Sequence, residues 1–269
     1  MDLKVSDILD FLNSIAPSFL AEKNDPTGLH IGSKQELVVG ILLTIDPSLS
    51  ACRFAKERNL NLIISHHPLF YHPIQSLTPD AYPGTVAYFA IKENLNLIAW
   101  HTPLDRVSWG VSSALAEMLG FSPKGPILTD QKQSEDVGLG VLVNFTKSVK
   151  LGELAKQLAD KINSWVMIVG DEESEVESLG ICGGACSFLM EHLKKIGVFT
   201  LITSDVKYHT AKKAKEEGFN FLIIDHGVAE SFVLTRLKDK LLQFLTQRGS
   251  KVKVETYSSK SPYKIIQEV

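Results

Sequence analysis

Three histidines follow the same kind of apolar run. The chain reads "LIISH" at 62–66, "LIAWH" at 97–101 and "LIIDH" at 222–226. A single histidine in such a place is most simply a turn residue that hydrogen-bonds the backbone. Here each has a second potential ligand close by: His67 directly after His66, Asp105 four residues after His101, and Glu230 four residues after His226. The i, i+4 spacing of His226 and Glu230 puts both on one face of a helical turn. Neighbouring strand residues point to opposite faces, so His66 and His67 share one space only where their strand has ended. Pro68 favours extended geometry at His67 and blocks a helix there. The pooled imidazoles and two carboxylates suit Zn, Fe, Mn, Co or Ni, and do not suit a Ca or Mg cage of oxygens alone. A carboxylate can bridge two cations, so the set points to two divalent metal ions per chain. Such pairs activate water for hydrolysis.

The elements that must position these residues are legible in the periodicity. Residues 5–15 carry apolar side chains at 5, 8, 9, 12 and 15, the spacing of an amphipathic helix and not the unbroken core of a signal peptide. "DPTGLHIG" (25–32) reads as a loop, and "ELVVGILLTID" (36–46) as a strand buried on both faces. Helices at 47–59, 84–94 and 111–120 separate the first histidine runs. A Pro/Gly/Ser-rich stretch at 121–138 marks a lobe boundary. Beyond it strands and helices keep alternating, one long helix is expected over 228–249, and "KVKVETY" (251–257) alternates like a half-exposed final strand. This alternation predicts an α/β fold of two lobes with largely parallel or mixed sheets, the metal site lying in the crevice between them. Ligands of such sheets gather at the carboxyl ends of strands, where each histidine sits. The expected lobes are 1–122 with 223–269, and 123–222.

Bulk properties narrow the partner. Of 269 residues, 28 are basic and 31 acidic, which gives no nucleic-acid footprint. No run approaches the roughly 18–20 apolar residues of a membrane span. A cytoplasmic protein is expected, its partner a small molecule or another copy of the chain. The three cysteines fit reduced thiols, and Cys182-Gly-Gly-Ala-Cys186 reads as a tight strand–helix turn in preference to half a zinc site. Asp25, Asp46 and Asp205 read as helix caps or turn residues. His30, His72 and His192 carry no partner pattern.

The blocks "HHPLF", "HTPLD", "DVKYH" and "DHGVAES" resemble the signatures of the NIF-three-like dinuclear-metal family, whose bacterial members are catalogued as GTP cyclohydrolase I type 2 homologues. "APSFLAEKNDPTGLHIG" and "ICGGAC" resemble further blocks, so the likeness spans nearly the whole chain. The resemblance implies metal ligation by His66, His67, Asp105, His226 and Glu230. It implies His101 beside the site, His209 on the facing wall, a first lobe completed by the C-terminal segment, and a homohexamer. Trp100, Ser204 and Ala185-Cys186 stand where the family usually has smaller residues or Ser-Gly. The expected function is metal-dependent hydrolysis of a nucleotide-like or phosphorylated small molecule, with His101 or His209 transferring protons. The competing reading is a non-catalytic metal-binding or regulatory protein.

Overall fold

The runs that end in histidine form strands buried along their whole length, as β-rich segments without polar alternation require. A computed structural model describes residues 2–130 and 134–266. The chain begins with α1 (Val5–Ile15), β1 (Gly28–Ile31), β2 (Gly40–Thr44), α2 (Leu49–Glu57), β3 (Leu62–Ser65), α3 (Gly84–Lys92) and β4 (Asn96–Ala99). It continues through α4 (Thr102–Arg106), α5 (Val111–Met118), β5 (Leu128–Thr129), β6 (Gly138–Leu139), β7 (Val141–Lys150), α6 (Leu151–Ile162), β8 (Val166–Val169) and β9 (Glu175–Ile181). It ends with α7 (Met190–Lys195), β10 (Thr200–Thr203), α8 (Tyr208–Glu216), β11 (Asn220–Ile224), α9 (His226–Ser231), α10 (Val233–Gln247) and β12 (Lys253–Tyr257).

Two units divide these elements. The first comprises Met1–Leu104 and Leu234–Ser259. Its sheet runs β1-β4-β3-β2-β12, with every neighbouring pair parallel except β1 against β4. The stretch 25–32, expected as a loop, is loop only to Thr27; Gly28–Ile31 then finds antiparallel partners along the open edge of β4. At the other edge β12 pairs with β2, so the C-terminal segment completes this unit. Helix α1 stacks Phe11 on Phe244 of α10 at 4.4 Å between ring centroids, and Asp7 meets Arg248 at 2.9 Å. Trp100 is buried, with its indole N–H donating to the Ala16 carbonyl at 2.9 Å. The bulky residue before His101 thereby ties β4 to the end of α1.

The second unit comprises Asp105–Val233 and Lys260–Val269. Its sheet is β7-β9-β10-β11-β8, parallel at the centre and antiparallel at both edges, beside the short β5–β6 pair. The division departs from the expected boundaries at 122/123 and 222/223. Leu115, Ala116 and Leu119 of the α5 segment share one apolar core with Leu154 and Leu158 of α6, Leu179 of β9 and Ala229 of α9. Burial therefore assigns 105–122 and 223–233 to this unit, with Ser261 tied to Asp225 and Tyr263 set against Trp165. The single long helix expected over 228–249 is two helices: α9 and Val233 at the start of α10 belong to the second unit, and α10 from Leu234 onward to the first.

Replacing Trp100 by Phe removes the only side-chain donor to the buried Ala16 carbonyl seen among the described residues. A loss of about 1–3 kcal/mol in unfolding free energy is expected. Denaturant titration of Trp100→Phe against the parent measures it.

Candidate metal centre

In the first unit, register does the positioning. Thr44 of β2 lies level with Ser65 of β3, and Ser65 with Ala99 of β4. Two residues further along these parallel chains come Asp46, His67 and His101. The ladder persists past the strands, with His67 N–H donating to Ile45 O and Trp100 N–H to Ser65 O. Ser65 Oγ donates to the His67 carbonyl at 2.7 Å and fixes the turn that ends β3. The rings of His66, His67 and His101 consequently gather, with centroids 5.0–5.6 Å apart. One nitrogen from each lies within 4.8 Å of the others, a spacing that can hold a metal ion.

Aspartates hold two of the rings through Nδ1. His67 Nδ1 is 2.8 Å from Asp46 Oδ1, and His101 Nδ1 is 3.2 Å from Asp25 Oδ1. An ionised carboxylate only accepts, so in each contact Nδ1 is the donor and Nε2 is the nitrogen turned away from the aspartate. This is the arrangement in which metal-binding histidines are usually held. The side chain of Asp25 is 2% exposed. It also accepts from Thr27 Oγ1, Thr102 N and Thr102 Oγ1. Burial alone would raise its pKa; the bonds from His101 and Thr102 outweigh that and bring it from the ordinary 3.8 to about 2.

The second unit repeats the device. Ile181 of β9 pairs with Ile202 of β10, and Thr203 with Ile223 of β11, which brings Gly184, Asp205 and Asp225 level beyond the strand ends. Asp225 caps α9 by accepting from Val228 N at 3.0 Å. Asp205 Oδ2 lies 2.5 Å from His226 Nδ1, while His226 Nε2 lies 2.9 Å from Glu230 Oε1. Glu230 is 3% exposed. When neutral His226 donates its Nδ1–H to Asp205, Nε2 and Oε1 are two acceptors facing each other. A proton or a metal cation reconciles them, and the donor set fits the cation.

The remaining predicted residues fall as follows. Asp105 lies half-buried in α4, the turn after His101. It lines a cavity of about 280 Å³ in the second unit with Arg106, Ser112, Glu117 and Lys124. His209 opens α8, exposed, its ring 5.3 Å from Tyr208. His30 stacks on Phe70 and bonds the Pro26 carbonyl, a structural role. Cys182 and Cys186, expected as reduced thiols, are joined in a disulfide, with Cα atoms 6.0 Å apart across the Gly183-Gly184 turn. That spacing is ordinary for a disulfide. Asp25, Asp46 and Asp205 are not simple caps or turn residues, since each holds a histidine ring. A signal was present: "LLTID" at 42–46 and "LITSD" at 201–205 end as the histidine runs do, on a polar residue just past a buried strand. Among the described residues, no helix is long and apolar enough to cross a membrane.

Comparison with known proteins gives the family and the fold. The family model of Duf34/NIF3 (NGG1p interacting factor 3) matches residues 3–262. The chain belongs to the Duf34/NIF3 family. A Clostridium perfringens relative named GTP cyclohydrolase 1 type 2 homolog is 31% identical over 244 residues, covering 90% of this chain and 93% of its own. A Helicobacter pylori protein named GTP cyclohydrolase 1 type 2 is 30% identical, over 84% of this chain and 86% of its own. The crystal structure of a Staphylococcus aureus hypothetical protein matches with a TM-score of 0.92 at 27% identity, covering 99% of this chain and all of that one. The Duf34/NIF3 chain described here thus shares its mixed α/β fold with solved structures end to end.

Two outcomes are expected of the aspartates. In metal-free protein, side-chain ¹⁵N spectra should show His67 as the Nδ1–H tautomer, and Asp46→Ala should convert it to a mixture. An unchanged His67 signal would mean that Asp46 does not set the ring. Asp25 has a folded pKa below its unfolded one, so its contribution is fully present above about 3.8 and is lost as pH falls through about 2. Urea midpoints measured down through that window should fall less steeply for Asp25→Asn than for the parent.

Proposed function

We propose that the protein is a dinuclear-metal-dependent hydrolase of a nucleotide-like or phosphorylated small molecule, with His66, His67, Asp105, His226 and Glu230 holding two divalent ions. The observation that carries this is the aspartate behind each of His67, His101 and His226, which holds the ring through Nδ1 at the end of its strand. The His226 and Glu230 pair adds to it, because its imidazole and carboxylate face each other at a spacing that a metal cation can take up in place of a proton. Imidazole and carboxylate together suit Zn, Fe, Mn, Co or Ni. Ions held there would supply Lewis acidity.

The chain's own residues do the rest. His101, oriented through Nδ1 by a carboxylate that stays ionised at neutral pH, takes or gives a proton at Nε2. His209 is the second proton carrier. The cavity beside Asp105 offers Arg106, Lys124 and Ser112 to a small polar substrate. GTP enters through the names of the relatives. The reading extends to a cytoplasmic homohexamer, the assembly implied by the resemblance.

Elemental analysis after metal supplementation should return two ions per chain, and a panel of nucleotides and phosphate esters should yield a substrate. Glu230→Gln, folded by circular dichroism, should lose affinity for at least one ion, since a neutral amide oxygen is a poor ligand for a dication. His101→Ala should keep both ions and slow turnover by about 10²–10⁴. One ion or none would sink the dinuclear reading. Two ions with no turnover on any of the panel would favour the metal-binding, regulatory protein.

A further inference from the structure

We propose that the Cys182–Cys186 disulfide is a reversible redox latch on the His226/Glu230 donor pair. The proposal rests on these two residues being metal ligands, as read above. The five-residue loop closed by the disulfide lies against the pair. Gly184 sits at φ +83°, and a methyl group on it would come within 2.8 Å of Glu230 Oε1 and 3.7 Å of His226 Nε2. A methyl on Gly183 would lie 3.7 Å from Glu230 Cγ. Backbone, not side chain, therefore forms the wall that keeps the Glu230 carboxylate turned toward His226.

The same loop is tied to the residue behind His226. The Gly184 carbonyl accepts from Thr203 Oγ1 at 2.8 Å and from Ser204 N at 2.9 Å, and Cys186 N–H donates to Thr203 Oγ1 at 3.0 Å. Asp205 follows directly and holds His226 Nδ1. Closing the disulfide thus fixes both sides of the donor pair: Glu230 through the Gly183-Gly184 backbone, and His226 through the segment 203–205. Opening it frees a turn with two adjacent glycines, the residues with most backbone freedom to regain. Glu230 then loses its wall, and a pre-organised pair becomes a loose one.

Chemistry and access are consistent. Cys182 is fully buried and Cys186 5% exposed, with Ala185 and Phe188 exposed on either side of Cys186. A small thiolate attacks the Cys186 sulfur, breaks the S–S bond and forms a mixed disulfide, while Cys182 leaves as a thiolate and takes up a proton. A second small thiol attacks the mixed disulfide. Two small thiols become one small disulfide, and the chain gains two thiols. A small disulfide drives the reverse.

The test uses the full chain, oxidised or reduced with dithiothreitol that is then removed, and the Cys182→Ser/Cys186→Ser variant. In metal-free protein, reduction should shift the ¹⁵N ring signals of His226 and leave those of His67 in place. In Co²⁺ titrations both forms should saturate at two ions, with one ion bound about tenfold more weakly after reduction. The double variant should behave as the reduced chain whether or not thiol is added. Identical His226 signals and Co²⁺ affinities in the two forms would overturn the latch, and a two-ion stoichiometry would then leave the metal reading standing. Failure of both forms to bind Co²⁺ would overturn both. A sulfur-to-cobalt charge-transfer band on reduction would make the cysteines ligands and also overturn the latch, as would thiols that resist oxidation by a small disulfide.

Discussion

Parallel pairing without slip is the constraint on which the candidate site depends. Thr44, Ser65 and Ala99 are level, so Asp46, His67 and His101 emerge level. In the other sheet the pairing of Ile181, Ile202, Thr203 and Ile223 delivers Gly184, Asp205 and Asp225 in the same way. A shift of one residue in either ladder would turn every strand side chain to the opposite face. The buried runs forbid that shift, because both faces of β2, β3, β4, β10 and β11 are packed. Hydrophobic register thereby becomes the placement of polar groups.

Electrostatics then give the placed groups their state. Each aspartate supplies an acceptor to one imidazole nitrogen and so fixes the direction in which the other points. The cost of burying Asp25 is offset by four donors around it, which keeps the group charged instead of protonated. Glu230 is buried against His226 under the Gly183-Gly184 backbone. Both units therefore combine an imidazole, a carboxylate and a rigid turn at the ends of parallel strands, which is where α/β sheets hold their ligands.

Much of this is legible in the sequence because the signals are strong and local. The repeated apolar run before His66, His101 and His226 shows the strands and the common position of the histidines. The spacing of His226 and Glu230 shows their shared face. Where the reading falls short, tertiary context decides. Gly28–Ile31 is a strand because the edge of β4 is open, a fact that no local pattern near Pro26 carries. The break between α9 and α10 follows from which core takes up Ala229 and which unit takes up Leu234, and the periodicity of 228–249 is helical on both sides of it. Asp25 lies 76 residues from His101, so a turn residue and a ring-holding carboxylate look alike until β1 is paired. The Cys182–Cys186 bond is hidden for a different reason: its spacing fits a turn equally well with or without it.

Strand-end histidines held through Nδ1 by aspartates could each turn Nε2 to a metal ion. Anomalous diffraction from crystals of the metal-loaded chain, at the absorption edge of the bound metal, tests it most directly. Peaks are expected at bonding distance from Nε2 of His67 and of His226, with Asp46 and Asp205 still hydrogen-bonded to the Nδ1 atoms. Peaks bonded to Nδ1 with the aspartates displaced, or no peak at either ring in crystals shown to contain metal, would contradict it.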